Sequence, residues 1–257
     1  MIKRTFLRRA LPWLVILGMF VMWELLCRLF GVKEFVLPLP SQIFSVMVKR
    51  WDALLPHATQ TLMTTVIGFA GGVVVGTLLG IAIGSSRLVY DAVYPLLVGF
   101  YSIPKVAVVP ILVIWFGSGT VPAVITSLVI CIFPVVVNVA TGLATTEPEL
   151  EDVLRALGAS KADILWGVGL PRSMPYFFAS LKIALTLAFV GTVISETVAA
   201  NRGIGNMMII ASSNIDVPLV FAGLFILAFL GIALYAVFAF LESRMTGWAM
   251  RKNEFSM

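Results

Sequence analysis

Few side chains in this 257-residue sequence are of types and spacings that could catalyse a reaction. Ser102 and Lys105 have the i, i+3 spacing of a serine nucleophile and a lysine base, but no further residue supports that pair. His57, the only histidine, and Ser118 fall in separate segments. The sequence has no Gly-x4-Gly-Lys-Ser/Thr phosphate loop, so any ATP must be bound by another chain. An intramembrane protease remains the enzyme-class alternative, and the pattern favours a protein that is not an enzyme.

The two cysteines predict neither a disulfide framework nor a metal site. Cys27 and Cys131 both lie in apolar stretches, and neither has a Cys or His at ligand spacing. We interpret both as small apolar residues that fill space between helices. The sequence therefore predicts no metal and no cofactor bound by this chain.

Four polar residues stand within or beside strongly apolar segments and are candidates for a solute pathway or gate: Lys105, Asn138, Ser195 and Glu196. Lys105 follows Pro104, and a second proline comes five residues later, so a kinked helix is expected here. A lysine at membrane depth must face water or a partner, so Lys105 either attracts an anionic solute or makes a structural contact. Glu196 is expected to organise the glycine-rich turn that follows it, with Arg202 as its partner.

The composition indicates that these residues are surrounded by lipid. Hydrophobic residues make up 60% of the chain and charged residues 12%, about half the charged share of an average soluble domain. A spanning helix needs about 20 mostly apolar residues. The sequence predicts an all-α integral membrane protein with one transmembrane domain over residues 1–257 and six spans. The spans are expected at about 11–30, 61–84, 92–116, 121–144, 174–195 and 217–240.

The first span is expected to be a retained anchor, because its apolar run is long and no small-x-small cleavage site follows it. Glu24 and Arg28, four residues apart, should pair near its end. In the outer segment from Val32 to Gln60, Ser41 is expected to cap a short helix that runs to about Leu54.

The basic residues predict the orientation of the spans. With both termini in the cytoplasm, eleven Lys and Arg residues flanking the spans are inside and four are outside. The inside set is Lys3, Arg4, Arg8, Arg9, Arg87, Arg155, Lys161, Arg172, Arg244, Arg251 and Lys252, and the outside set is Lys33, Lys49, Arg50 and Arg202. No clustered basic face with stacking aromatics is visible, so nucleic acid is not an expected partner.

Five glycines recur at four-residue intervals in the second span: Gly68, Gly72, Gly76, Gly80 and Gly84. They form a stripe along one helical face, which lets a second helix approach closely in lipid. The partner is either another span of the same chain or a second copy of the protein, and the pattern favours packing within the chain.

The longest predicted cytoplasmic loop, residues 145–173, reads as two short helices. The first starts in the acid-rich segment Thr146–Asp152, which includes Glu151, and ends at Gly158. Val153 and Leu154 contribute to its apolar face, and the second helix is expected over Lys161–Gly167. Asp152 lies on the same helix. Two helices in the longest inner loop of a membrane protein indicate a docking site for a cytoplasmic partner.

This loop resembles the E-A-A-x3-G-x9-I-x-L-P signature of permeases from ATP-driven (ABC-type) importers. Asp152, Val153 and Leu154 take the Glu-Ala-Ala positions, Gly158 and Ala159 follow, and Val168 takes the isoleucine position. Leu170 and Pro171 take Leu-Pro. The acid is retained and the two alanines are not. Residues Leu37–Ser41, the glycine-rich span, Ile103–Pro104, Trp115–Gly119 and Glu196…Gly205 resemble the nitrate, sulfonate and taurine branch of these permeases.

The resemblance implies the type I importer fold in the bacterial inner membrane. By that likeness, two permeases, expected to be a homodimer, form the pore, and two cytoplasmic ATPases bind ATP and Mg and drive it. A binding protein outside the membrane delivers a small solute, an anion or a vitamin precursor. The segment from Glu151 to Gly158 would be the coupling helix. An ion-coupled secondary transporter is the alternative, although such proteins usually carry internal repeats and mid-membrane acids.

Overall fold

The structure is a computed structural model that describes residues 2–145 and 148–245, and the side chains at positions 2–10, 148 and 151 lie outside its description. The predicted start of the loop helix at residues 146–147, the side chain of Glu151 and the basic tail after residue 245 are therefore outside the described residues. The extent of the single domain over residues 1–257 stays a prediction.

The described residues are helical, without a strand, which confirms the all-α fold class. A 3₁₀ turn covers Lys105–Val108 and a π-helical segment covers Leu165–Gly169. The α-helices are α1 Ile2–Leu29, α2 Pro40–Lys49, α3 Trp51–Gly84, α4 Arg87–Tyr101, α5 Val109–Phe116, α6 Thr120–Ala144, α7 Pro148–Ala156, α8 Lys161–Ile164, α9 Leu170–Ala199, α10 Ile204–Ser213 and α11 Val217–Met245.

Among these residues, five helices are long and apolar enough to cross a membrane: α1 from Leu11, α3, α6, the continuous stretch from α8 through α9, and α11. The remaining predicted span, the third at about 92–116, corresponds to the pair formed by α4 and the Lys105–Phe116 segment, which are bent by 77° relative to each other. Five single helices and one bent pair match the six spans expected from hydropathy.

The third predicted span is broken more sharply than its prolines alone suggested. Helix α4 ends at Tyr101, and the chain turns through Ser102 to Pro104 before the 3₁₀ turn begins. Pro110 does not interrupt a helix, because it stands in the first turn of α5, where a missing amide hydrogen does no harm. The break therefore belongs to Pro104, and Lys105 follows it directly.

Helix α3 begins at Trp51, ten residues before the predicted start of the second span. Its 34 residues extend about 51 Å, well beyond the roughly 30 Å hydrocarbon core of a bilayer. The expected surface helix to Leu54 is instead divided between α2 and the first turn of α3. Leu54 is fully buried and packs with Ile204 of α10, which holds this extension of α3 in place.

Ser41 does not cap α2, because Leu39 occupies the N-cap position and Pro40 begins the helix. The Leu39 amide donates to Gln42 Oε1 at 2.9 Å. Ser41 instead donates from its hydroxyl to Glu24 Oε1 at 2.8 Å and from its amide to Glu24 Oε2 at 3.1 Å. The predicted pair of Glu24 and Arg28 is present, so one carboxylate holds α1 against α2.

The core of the molecule lies where α3, α6 and α9 pack together. All five glycines of the stripe face α6 of the same chain. A Cβ at Gly76 would lie 2.8 Å from Val135 Cβ, and one at Gly80 would lie 2.7 Å from Val139 Cβ. The two backbones are close enough that no side chain fits between them at these positions.

Replacing Gly80 with alanine is expected to destabilise the protein. The new methyl group would meet Val139 Cβ and, at 3.1 Å, the Val136 carbonyl oxygen, so α3 and α6 must separate. Overpacking of this kind costs about 1–3 kcal/mol. Gly99→Ala is the matched control, because Gly99 also lies in a helix but has no atom of a described residue within 4 Å of the added carbon. A lower apparent Tm in detergent is expected only for Gly80→Ala, and equal Tm values for the two variants would contradict this close packing.

Candidate functional site

The loop after α6 carries the predicted docking helix, which the structure places at α7. The helix ends in two hydrogen bonds: Gly158 N–H donates to the Arg155 carbonyl at 3.0 Å and Ala159 N–H to the Leu154 carbonyl at 3.0 Å. These are the two bonds of a Schellman motif, in which the residue after the helix adopts a left-handed conformation. Gly158 has φ +87°, so the turn requires glycine here.

Helix α7 presents apolar side chains that the described chain does not cover. Val153 is 56% exposed and Leu157 is 79% exposed, while Leu154 is half-buried. Asp152 lies on the exposed surface and pairs with Arg155 at 3.3 Å. An exposed apolar patch flanked by charges, on a loop between membrane helices, has the composition of a contact surface for another chain.

The second loop helix, predicted over Lys161–Gly167, does not end at Gly167 but runs directly into the next span. Ser160 and Asp163 form a capping box, with Asp163 N–H donating to Ser160 Oγ at 3.2 Å and Ser160 N–H to Asp163 Oδ2 at 2.9 Å. Helix α8 then continues through the π-helical segment into α9. Leu170 and Pro171 therefore belong to the first turn of α9 and not to the loop that was expected to reach residue 173.

A buried polar cluster joins the outer ends of α3 and α9 to the start of α10. Glu196 is 1% exposed, and its Oε2 accepts from Thr61 Oγ1 at 2.9 Å and from the Gly205 amide at 3.0 Å. The Ile204 amide donates to Thr61 Oγ1 at 2.9 Å. His57 completes the cluster, with Nδ1 lying 2.9 Å from the carbonyl oxygen and 3.2 Å from the amide nitrogen of Gly203.

The structure differs here from the expected pairing of Glu196 with Arg202. Arg202 is exposed, and the hydrogen bonds described for Glu196 Oε2 go to Thr61 and Gly205. The turn brings its backbone against the carboxylate: Gly203 has φ +118°, and an added Cβ there would overlap the Glu196 side chain. The Gly205 amide and the Thr61 hydroxyl therefore take the place of the guanidinium group.

Sequence reasoning gave His57 no role and placed Thr61 only at a span boundary. Had α3 been extended to Trp51, the four-residue spacing of His57, Thr61 and Thr65 would have put all three on one face. Thr61 and Thr65 are both fully buried, which is consistent with that face packing on the neighbouring helices.

Among the described hydrogen bonds, none joins one of the four pathway candidates to another. At the bend of the broken span, Lys105 donates to the Tyr101 carbonyl, and its Nζ lies 3.5 Å from the Tyr101 ring centroid. That ring stacks on Phe133 of α6 at 3.9 Å. Asn138 donates to the Pro134 carbonyl at 2.8 Å within α6.

The two remaining pathway candidates sit together at the outer end of α9. Ser195, like Glu196, is 1% exposed, and both side chains carry a buried oxygen without a hydrogen-bond partner among the described residues, Ser195 Oγ and Glu196 Oε1.

This fold and these sites define a multi-pass membrane protein with an exposed amphipathic helix between two of its spans. The family model for the binding-protein-dependent transport system inner membrane component matches residues 72–247, and the chain belongs to that family. It is therefore an inner-membrane permease of an ABC importer for small solutes, as the resemblance predicted.

Relatives in several bacteria match the chain over most of its length. The formylaminopyrimidine transport permease protein ThiX of Halalkalibacterium halodurans is 34% identical over 94% of this chain and 96% of its own length. The riboflavin transport system permease protein RibX of Chloroflexus aurantiacus is 30% identical over 89% and 86%. The taurine transport system permease protein TauC of Escherichia coli is 28% identical over 88% and 85%.

A solved structure shows the same fold. A chain of the MetNI methionine ABC transporter in an inward-facing conformation matches with a TM-score of 0.65 at 20% identity, over 75% of this chain and 96% of that chain. The type I importer permease fold is thereby confirmed.

Proposed function

We propose that two copies of this chain form the membrane pathway of an importer that two cytoplasmic ATPase subunits drive and an outside binding protein supplies. ATP and Mg would be bound by the ATPases, since this sequence has no phosphate loop. The observation that carries the proposal is α7, whose exposed Val153 and Leu157 need a partner outside lipid. In this family, the ATPase is the partner that such a helix would bind.

Coupling would follow from the rigidity of the loop. Helix α7 is closed by the Schellman turn at Gly158, and α8 is capped by Ser160 and continues into α9. A displacement of α7 by closing ATPases would therefore reach α9 through a nearly continuous helical path. Rocking of packed helices is a common way to alternate between inward-open and outward-open states.

We further propose that the solute is a small heteroaromatic vitamin precursor, with a small organic or inorganic anion as the second candidate. The 34% identical formylaminopyrimidine permease, matched nearly end to end, supports the first. The second has support from Lys105, whose amine lies at a helix break beside the half-exposed Tyr101 ring. An ammonium group at a broken helix can attract an anionic group, and an aromatic ring can stack on a flat solute.

Uptake measurements test this assignment. Membrane vesicles that contain the transporter and its binding protein should take up formylaminopyrimidine only when ATP is inside, and excess taurine or nitrate should not compete. Lys105→Gln should leave this uptake within about twofold, because a neutral precursor gains little from the charge. If taurine or nitrate competes and Lys105→Gln weakens its uptake by about tenfold, the anion is the solute. ATP-independent, ion-driven uptake would contradict the importer itself.

A further inference from the structure

A cavity of about 570 Å³ lies beneath the ends of the membrane helices, on the side that the charge asymmetry assigns to the cytoplasm. Its described lining includes Gly84 and Arg87 from the turn between α3 and α4, Leu143 from the end of α6, and Arg155 and Lys161 from the loop helices. Three of the described lining residues are cationic and none is acidic. The transport function assigned above uses none of these cations.

The wall formed by the α3–α4 turn adds further positive potential. Ser86 has an extended backbone at the N-cap of α4, and its side chain makes no capping hydrogen bond. The first amide groups of α4 therefore begin at the cavity beside Arg87, where an anion is favoured. Arg155 is partly neutralised by Asp152 at 3.3 Å, so Arg87 and Lys161 are the cations on which recognition of an anion would chiefly depend.

The surroundings of the cavity have the residue types of a membrane–water interface. Leu88, next to Arg87, is 82% exposed, and Trp166, next to the lining residue Leu165, is 70% exposed. Large apolar side chains this exposed at the ends of spans are suited to contact lipid, and tryptophan is enriched at the membrane–water interface. Leu143 and Ile164 give the cavity an apolar side as well.

We propose that this cavity binds the phosphate headgroup of an anionic phospholipid from the cytoplasmic leaflet. Arg87 and Lys161 would contact the phosphate, and the acyl chains would lie along the exposed apolar residues outside. Basic pockets between membrane helices on the cytoplasmic side suit such headgroups. Because the cavity joins the α3–α4 turn to the loop helices, a bound headgroup would link the docking loop to the spans.

The test measures the binding of short-chain phosphatidylglycerol to the purified full-length chain by native mass spectrometry. Arg87→Gln combined with Lys161→Gln should weaken binding roughly tenfold to thirtyfold, from about 1 kcal/mol per basic residue near a charged surface. Arg244→Gln is the matched control, because it removes a predicted cytoplasmic charge at the end of α11, outside the described lining. Phosphatidylcholine should bind weakly to the wild type and to all variants. The double variant Arg87→Lys, Lys161→Arg, which keeps both charges, should bind phosphatidylglycerol as tightly as the wild type.

Three results would overturn the proposal. The double variant could bind phosphatidylglycerol as tightly as the wild type, or inorganic phosphate could displace the lipid completely at equal concentration, which would indicate a free-phosphate site. The double variant could also lose a co-purifying ATPase subunit while keeping its lipid affinity, which would make the cavity a protein contact. If the double variant fails to fold, the wild-type protein can be photolabelled with a phosphatidylglycerol that carries a reactive headgroup. Labelling within residues 84–87 or 155–165 would support the site, and labelling only elsewhere would contradict it.

Discussion

Replacing Gly158 with leucine is expected to reduce ATP-driven uptake to below about a tenth of the wild-type rate while the spans stay folded. Gly158 has φ +87°, and a left-handed conformation costs most L-residues about 1–2 kcal/mol. Nothing among the described residues lies within 4 Å of an added Cβ, so the harm would come from the altered turn and from contact with a partner. The measurements are uptake in vesicles and the amount of ATPase that co-purifies.

Two variants separate the possible causes of this loss. Gly158→Asn should retain most uptake if strain is the main effect, because asparagine tolerates positive φ better than other residues with a side chain. Gly167→Leu places the same side chain at an exposed helical glycine of the same loop, also with open space around it, and should be harmless. Normal uptake in Gly158→Leu, or an equal loss in Gly167→Leu, would show that the turn at Gly158 has no special role.

Replacing Glu196 with alanine is expected to cause the largest loss of stability. The change removes a buried acceptor from Thr61 Oγ1 and from the Gly205 amide, and leaves both donors buried. Leaving a buried donor without an acceptor costs about 1–3 kcal/mol, so for the two donors together we expect a loss of about 3 kcal/mol. This corresponds to an apparent Tm lower by roughly 6–12 °C, measured by thermal unfolding in detergent.

Glu196→Gln tests whether a hydrogen-bond acceptor at this position is enough to keep the cluster stable. The glutamine carbonyl oxygen can accept both bonds, and its amide group would take the position of Oε1, which has no described partner. We therefore expect this variant to keep most of the stability that alanine removes. Thr197→Ala is the control, because Thr197 is the next residue and bonds only within α9 in the described contacts. A Tm for Glu196→Ala equal to that of the control would contradict a structural role for the cluster.

The spans could be predicted from the sequence because the lipid environment imposes one strong physical constraint. Backbone polar groups in lipid must be bonded within the segment, so apolar stretches of about 20 residues form helices whatever surrounds them. The turn that ends α7 was equally local, since the Gly158 and Ala159 amides bond to carbonyl groups three and five positions earlier, respectively. The pairing of Glu24 with Arg28 is also a contact within one helical turn.

The start of α3 was missed because hydropathy describes only the part of a helix that lies in lipid. The residues from Trp51 to Gln60 include Asp52 and His57 and read as a surface segment. Distant contacts hold them helical: Leu54 packs on Ile204, and Arg50, just before the helix, pairs with Asp216 at 2.7 Å. Neither contact leaves a signal in the local pattern.

The sequence by itself specified the class of membrane protein, the number of spans, a break at the prolines of the third span and the glycine at the turn after α7. Each depends on residues a few positions apart and on the fixed length of a span. Only the tertiary structure decided that α6 receives the glycine stripe, that His57 and Thr61 belong with Glu196, and that cations from two loops surround one cavity. These arrangements join segments up to about 146 positions apart, and their geometry follows from how the helices pack.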